Sequence, residues 1–170
     1  MNLDHVRTSF DRNRKAVTLR PSLGQGTAVT RATLEKGLTC LVRDGQWELT
    51  AGMSEKSGGA GAGPDPGVLG RAALASCLAL GFTMWAARAG VPIDAVEVEV
   101  HADYDVRGEY GIDDIPPSYS RIRYTITVTS DAPEADIRFV LDKSESVSPY
   151  LSMFRDPQDV RGELRVRQGC

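Results

Sequence analysis

Residues 64–90 read PDPGVLGRAALASCLALGFTMWAARAG, and this stretch decides the fold. Asp65 is a typical N-cap residue, because its carboxylate can accept from the free backbone N–H groups of a first helical turn. Pro66 suits that first turn, and Gly90 is typical of the residue that ends a helix. The stretch therefore predicts one long helix with a defined start and a defined end.

The body of this predicted helix is apolar on nearly every face. Between positions 68 and 87 the only charged residue is Arg71, and a thiol, Cys77, lies near the middle. A helix that is apolar all round is usually buried within a protein. The stretch is rich in Ala and Gly and short of large apolar residues, which argues against a membrane span. We therefore expect a central helix around which the other elements are wrapped.

The composition bounds the class of protein. The chain has 170 residues, 41% of them hydrophobic, which suits one domain with its own core. A formal net charge of -3 argues against a nucleic-acid or anionic-membrane partner. The 3 cysteines, Cys40, Cys77 and Cys170, form neither a disulfide framework nor a CxxC zinc pattern. With no apolar run typical of a signal peptide at the N-terminus, we expect a cytoplasmic protein without a metal or cofactor.

Alternating apolar and polar residues predict several strands. Three short runs, residues 27–34, 38–43 and 47–50, are separated by turn residues and indicate an antiparallel meander. Residues 93–106 and 119–130 alternate more clearly. One of them carries acidic residues and the other basic residues, as expected of antiparallel neighbours.

The remaining elements follow the long strands. Asp131 is expected to cap a helix that continues to about residue 147, and Pro149 can begin a second, shorter helix. Residues 160–166 alternate again and predict a final strand. Antiparallel strands with helices packed on them define an α+β fold.

We divide this single domain, residues 1–170, into three parts. Residues 1–26 are an N-terminal arm, residues 27–63 hold the meander and a Gly-rich loop, and residues 64–170 hold the rest. The loop lacks the Gly-Lys-Ser/Thr of a nucleotide-binding loop, so we interpret it as an entry loop to the central helix.

One further pattern could indicate a metal site. His101, Asp103 and Asp105 share one face of a predicted strand. Their side chains would be spread along that strand and offer a single nitrogen ligand, so a solvated sheet face is the preferred interpretation.

Four stretches in this order resemble the OsmC/Ohr family of osmotically inducible and organic hydroperoxide resistance proteins. They are GAGPDPGVLGRAALASCLALGFTMWAARAGV, IDAVEVEVHADYDVRGEYG, YSRIRYTITVTSDAPEADIRFVLDKSESVSPY and FRDPQDVRGELRV. The resemblance implies an OsmC-like fold, with antiparallel sheets wrapped around central helices in an intertwined homodimer. It also implies reduction of organic hydroperoxides by a pair of cysteines.

The resemblance also implies roles for particular residues. Cys77 stands at the position of the family's peroxide-attacking cysteine, whereas Ser148 stands at the position of the second cysteine and cannot form the disulfide. The family's glutamate after the helix-opening proline is replaced here by Gly67. No arginine is assignable at the family's activating position, where Lys36 is the possible substitute.

Three hypotheses follow for the thiol. In the first, Cys77 reduces hydroperoxides alone and an external thiol resolves it. In the second, the chain is a catalytically degenerate OsmC-like dimer that binds a small apolar ligand at its interface, with Cys77 as a small buried hydrophobe. In the third, Cys40 is the disulfide partner of Cys77, which requires the two residues to lie close together.

Overall fold

The structure is a computed structural model that describes residues 3–168, so Cys170 lies outside the described residues. Within residues 3–168, five helices and five strands follow one another in an α+β arrangement, with short 3-10 turns at Pro21–Gly24 and Glu55–Ser57. In chain order they are α1 (Asp4–Leu19), β1 (Thr30–Lys36), β2 (Thr39–Asp44), β3 (Trp47–Gly52), α2 (Pro66–Ala89), β4 (Ala95–Asp103), α3 (Val106–Glu109), β5 (Arg121–Thr129), α4 (Glu134–Ser146) and α5 (Pro149–Arg155).

Helix α2 begins and ends where the sequence predicts. The side chain of Asp65 accepts a hydrogen bond of 2.8 Å from the backbone N–H of Val68, which caps the first turn. Pro66 is the first helical residue, and Gly90 closes the helix with a φ of 72°. That left-handed conformation suits glycine because it has no Cβ to clash with the backbone.

The strands form two separate antiparallel sheets. Strands β1, β2 and β3 make the predicted meander, and β4 pairs with β5 in a register that places Val98 opposite Ile126. Asp103 on β4 accepts two hydrogen bonds, of 2.6 and 2.9 Å, from Arg123 on β5. These bonds hold the pKa of the Asp103 carboxyl below its usual value. The predicted pairing of acidic and basic strand faces is confirmed.

The core lies between α2, the β4–β5 sheet and helices α4 and α5. The buried face of α2 consists of residues spaced four apart, so that one side of the helix points inward throughout its length. These residues are Leu74, Leu78, Phe82 and Ala86. Leu74 and Leu78 pack with Leu151 of α5 over the sheet, and Phe82 packs with Val140 of α4.

The opposite face of α2 is exposed, which corrects the expectation of a helix buried all round. Val68, Ala72, Ser76, Leu80 and Met84 lie on the solvent side, and the Leu80 side chain is 65% exposed. The meander does not cover them, because β1, β2 and β3 pack chiefly on one another. Within one chain, therefore, one apolar face of α2 is buried and the opposite apolar face remains exposed.

Among residues 3–168, α2 is the one helix long and apolar enough to cross a membrane by length and composition. The core helix of a water-soluble protein meets the same criterion, so this observation by itself assigns no location.

Two local predictions are wrong. Residues 160–166 form no strand, since no neighbouring strand of the chain pairs with them, and the Val160 and Leu164 side chains are each 87% exposed. Asp131 does not cap α4, whose N-cap residue is Pro133. Instead, Ser130 accepts from the backbone N–H of Ala132, which orders the turn before α4.

The N-terminal region, predicted to be an arm, contains a regular helix. Within residues 1–26, which the sequence assigns to an arm, helix α1 spans Asp4–Leu19. Phe10 of α1 meets Trp85 of α2 edge to face, with ring centroids 5.1 Å apart. Aromatic contacts of this kind add stability beyond area burial, so α1 is docked on the C-terminal half of α2.

Candidate thiol site

Cys77 lies midway along α2, at the boundary between its buried and exposed faces. The side chain is half-buried and the thiol is free. Its neighbours in sequence show this boundary, since Ser76 is exposed and Leu78 is buried. A half-buried sulfur can be reached from one side while the helix holds it rigidly from the other.

The polar atom that contacts the thiol is Ser148 Oγ, 3.6 Å from Cys77 Sγ. The contact joins residues 71 positions apart in the chain. It forms because Leu151, one turn into α5, packs against Leu74 and Leu78 of α2 and brings the start of α5 to the thiol. Cys77 and Ser148, which the resemblance pairs, are therefore neighbours in space.

The Ser148 hydroxyl has a second role as the N-cap of α5. Its Oγ accepts a hydrogen bond of 3.3 Å from the backbone N–H of Leu151, and the residue is only 8% exposed. Because that bond uses a lone pair of the oxygen, the hydroxyl proton is free to point at Cys77 Sγ. Such a donor stabilises negative charge on the sulfur.

A phenol–carboxylate pair holds the end of α4 in place just before Ser148. Tyr124 Oη of β5 donates to Glu145 Oε1 of α4 at 2.7 Å, and Arg155 of α5 lies 3.9 Å from Glu145 Oε2. Burial, followed by the hydrogen bond to Glu145, raises the pKa of Tyr124 to about 12. The phenol therefore stays a donor throughout the neutral range. The sequence offers no periodic signal that identifies this pair.

The resemblance implies a glutamate at position 67, but the space beside Gly67 is filled by the side chains of Arg71 and Tyr119. A Cβ built on Gly67 would lie 3.2 Å from Arg71 Nη1 and 3.3 Å from Tyr119 Oη. Arg71 donates to Tyr119 at 2.9 Å, and Tyr119 donates to the Gly67 carbonyl at 3.3 Å. Side chains of a helix lean toward its N-terminus, so Arg71 points away from Cys77. These groups line a cleft of about 410 Å³ at the start of α2.

Lys36 and Cys40 are not joined to Cys77 in this chain. Lys36 ends β1 with an exposed side chain that forms neither a hydrogen bond nor an ion pair within residues 3–168. Cys40 is a free, half-buried thiol on β2, opposite Leu34 of β1. The hypothetical disulfide between Cys40 and Cys77 is therefore not formed here.

The residues considered for a metal site are engaged elsewhere. Asp103 binds Arg123, Asp105 binds Arg107, and His101 Nε2 lies 3.1 Å from Glu99. Over the part of the chain that the structure describes, no group of three or more His, Cys, Asp or Glu residues is placed to hold a metal ion.

These features define an α+β protein with a free thiol midway along its longest helix, α2, beside the start of α5. The chain belongs to the OsmC-like protein family, since residues 58–162 match the family's model. No curated protein sequence matches the chain at a significant level.

Solved structures support the same fold. An OsmC-like protein from Mycoplasma pneumoniae is 15% identical, with a TM-score of 0.66 over 77% of this chain and 89% of that one. An organic hydroperoxide resistance protein OsmC from Legionella pneumophila is 16% identical, with a TM-score of 0.55 over 76% of this chain and 90% of that one. A hypothetical protein from Aquifex aeolicus is 14% identical, with a TM-score of 0.62 over 77% of this chain and 89% of that one.

Proposed function

We propose that this protein reduces organic hydroperoxides through Cys77 alone, with an external thiol as the reductant. The observation that carries the proposal is the free, half-buried Cys77 with Ser148 Oγ 3.6 Å from its sulfur. The Legionella pneumophila structure of the same fold is that of an organic hydroperoxide resistance protein. A stress-response role in the detoxification of peroxides is consistent with membership of the family.

The reaction begins at the Cys77 thiolate. Its sulfur attacks the terminal oxygen of ROOH, an S–O bond forms, the O–O bond breaks, and the leaving alkoxide takes up a proton to give ROH. Cys77 is now a sulfenic acid. One external thiol displaces water from it and forms a mixed disulfide, and a second thiol releases Cys77 and leaves as the oxidised disulfide. The balance is ROOH plus two thiols giving ROH, water and one disulfide.

Ser148 supports the first step without taking part in the second. Its hydroxyl can donate to the thiolate sulfur while its oxygen keeps the α5 cap in place. A serine oxygen cannot form the disulfide that a second cysteine would form. The external thiol is therefore needed at every turnover.

The sulfenic acid is the intermediate to be detected. One equivalent of cumene hydroperoxide, added without reductant, should leave Cys77 in a form that dimedone traps, and mass spectrometry should find the adduct on the peptide that contains Cys77. Cys40 is the internal comparison, because it is free and half-buried as well. An adduct on Cys40 with none on Cys77 would contradict the assignment.

We also propose that the functional unit is a homodimer in which the exposed face of α2 packs on the second copy. Val68, Leu80 and Met84 are apolar and 39%, 65% and 42% exposed, along a helix that sequence alone places in a core. The extended residues 157–168 carry three further exposed apolar side chains, Val160, Leu164 and Val166. A second copy can cover the helix face and pair with the extended segment.

The dimer also offers a way for Lys36, the possible substitute for the family's activating arginine, to reach the thiol. Lys36 lies on the exposed β1, which packs chiefly on β2 of its own chain. We propose that Lys36 approaches a Cys77 only across the dimer. A cation beside the sulfur stabilises the reactive thiolate.

Leu80→Arg should dissociate this dimer. Placing an unpaired charge in an apolar interface costs about 3 kcal/mol, which is about a hundredfold in Kd. Light scattering at micromolar concentration should show a dimer for the wild type and a monomer for Leu80→Arg. Leu80→Met is the matched control, since it keeps an apolar side chain of similar volume and should remain dimeric. A monomeric wild-type protein would exclude the proposed assembly.

A further inference from the structure

A second site lies at the C-terminal end of α2, away from the thiol. It is a cavity of about 130 Å³ between α2 and α4, lined by Trp85, Arg88, Ala89, Phe139, Val140 and Lys143. Trp85 is eight residues beyond Cys77, which at 1.5 Å per residue places it about 12 Å further along the helix axis. None of the steps proposed for Cys77 uses this cavity.

The walls of the cavity are aromatic and aliphatic. The Phe139 side chain is 64% exposed and forms an open side, whereas Val140 is fully buried and forms part of the floor. Apolar cavities of about 150 Å³ in other proteins accommodate a benzene ring. The cavity between α2 and α4 is therefore of the right size for a single six-membered ring.

Two cations lie over the tryptophan that forms one wall. The Arg88 guanidinium carbon and the Lys143 ammonium nitrogen are each 5.1 Å from the centroid of the Trp85 ring. Both groups are thus held by the ring's electron-rich faces at the edge of an apolar cavity. This arrangement concentrates positive charge where water is partly excluded.

The positive charge is not balanced by the surrounding residues. Arg88 Nε is buried and forms an ion pair with Asp11 Oδ1 at 3.6 Å, a distance too long for a hydrogen bond, and Nε has no hydrogen-bond partner within residues 3–168. Lys143 forms no ion pair among the same residues. Two cations and one carboxylate, which pairs with Arg88, leave the charge of Lys143 without an ion-pair partner among the described residues. An unpaired cation at the edge of an apolar cavity favours binding of an anionic group, because hydrogen bonds between charged groups are the strong ones.

We propose that this cavity binds a small aromatic carboxylate. The ring occupies the apolar space beside Phe139 and Val140, and the carboxylate faces Arg88 and Lys143. A carboxylate supplies the negative charge that Lys143 lacks and adds to the one carboxylate that Arg88 already has. An uncharged ring would fill the space but leave Lys143 without an ion-pair partner.

Benzoate titration tests the site through Trp85 itself. The chain has 2 tryptophans, so the Trp47→Phe variant leaves Trp85 as the fluorescent reporter, and Trp47 is 71% exposed on β3. Sodium benzoate should produce a saturable change in Trp85 emission, with a matching heat by isothermal titration calorimetry. Benzyl alcohol, which has the same ring without the charge, should bind about tenfold more weakly. Absence of saturation by benzoate, or equal affinity for the alcohol, would overturn the proposal.

Two variants on α4 distinguish binding of benzoate at this cavity from a general effect of positive charge on the protein surface. Lys143→Gln should weaken benzoate binding about tenfold, because a charge-assisted contact is lost. Arg138→Gln removes the same charge from an exposed pair with Glu134 and should leave binding unchanged. Circular dichroism would establish that both variants are folded. Equal Kd values for Lys143→Gln and the parent protein would contradict the assigned carboxylate position.

Discussion

Cys77→Ser is expected to abolish the reduction of cumene hydroperoxide by a dithiol, leaving only the uncatalysed rate. The proposed mechanism passes every turnover through the Cys77 sulfur, and a serine hydroxyl is a far weaker nucleophile that cannot become a sulfenic acid. Loss of the reductant, followed in a coupled assay, measures the rate directly. A serine at position 77 is close in size to cysteine, so the helix and its packing should be preserved.

Cys40→Ser is the matched control for that experiment. It removes another free, half-buried thiol, on β2, in a sheet whose strands pack chiefly on one another. We expect this variant to turn over at the wild-type rate. Loss of activity in Cys40→Ser, together with a Cys40–Cys77 disulfide found by mass spectrometry, would replace the one-cysteine mechanism with a two-cysteine one. Equal turnover by wild type and Cys77→Ser would refute peroxide chemistry at this thiol.

Ser148→Cys is expected to restore a second cysteine and to create a disulfide after one turnover. Cys77 Sγ already lies 3.6 Å from the atom that the new sulfur replaces, so a small adjustment brings the two sulfurs together. Closing a loop of 71 residues stabilises the oxidised protein by about 4 kcal/mol in the chain-entropy model. Relative to the wild type, loss of the serine cap on α5 offsets about 1 kcal/mol of this gain.

Two measurements follow for this variant. Chemical denaturation should show the oxidised Ser148→Cys protein to be about 4 kcal/mol more stable than its reduced form, since both forms lack the serine cap. With excess hydroperoxide, its Cys77 should be protected from sulfinic acid, because the new thiol captures the sulfenic acid first.

Ser146→Cys provides the control for Ser148→Cys, since it places a thiol on the exposed side of α4 two residues earlier. It should form no disulfide with Cys77 and leave over-oxidation unchanged. Oxidation of Ser148→Cys to unlinked sulfinic acids would show that the two positions do not meet in solution.

Much of the architecture could be predicted from local signals. Asp65, Pro66 and Gly90 define the ends of α2 because capping and backbone conformation depend on residues within one turn. Alternation identified β4 and β5, and their opposite charges indicated the pairing now seen between Asp103 and Arg123. The prediction failed for residues 160–166, where alternation alone cannot supply the neighbouring strand that a ladder requires.

The residues of the candidate site were likewise predictable only in part. Family resemblance pointed to Cys77 and Ser148, and both lie at the site. Lys36 does not reach it within one chain, because the meander packs chiefly on itself. The Arg71–Tyr119 and Tyr124–Glu145 contacts join residues 48 and 21 positions apart, and no local pattern encodes such pairs.

By itself, the sequence determined the α+β class, the bounds of the central helix and the position of its thiol, since these depend on composition, periodicity and caps. The tertiary structure decided which face of α2 is covered, what lies beside Cys77, and where the cations around Trp85 are held. Each of these depends on packing between segments distant in the chain. Those contacts form only when the buried face of α2, from Leu74 to Ala86, meets the sheet and helices α4 and α5.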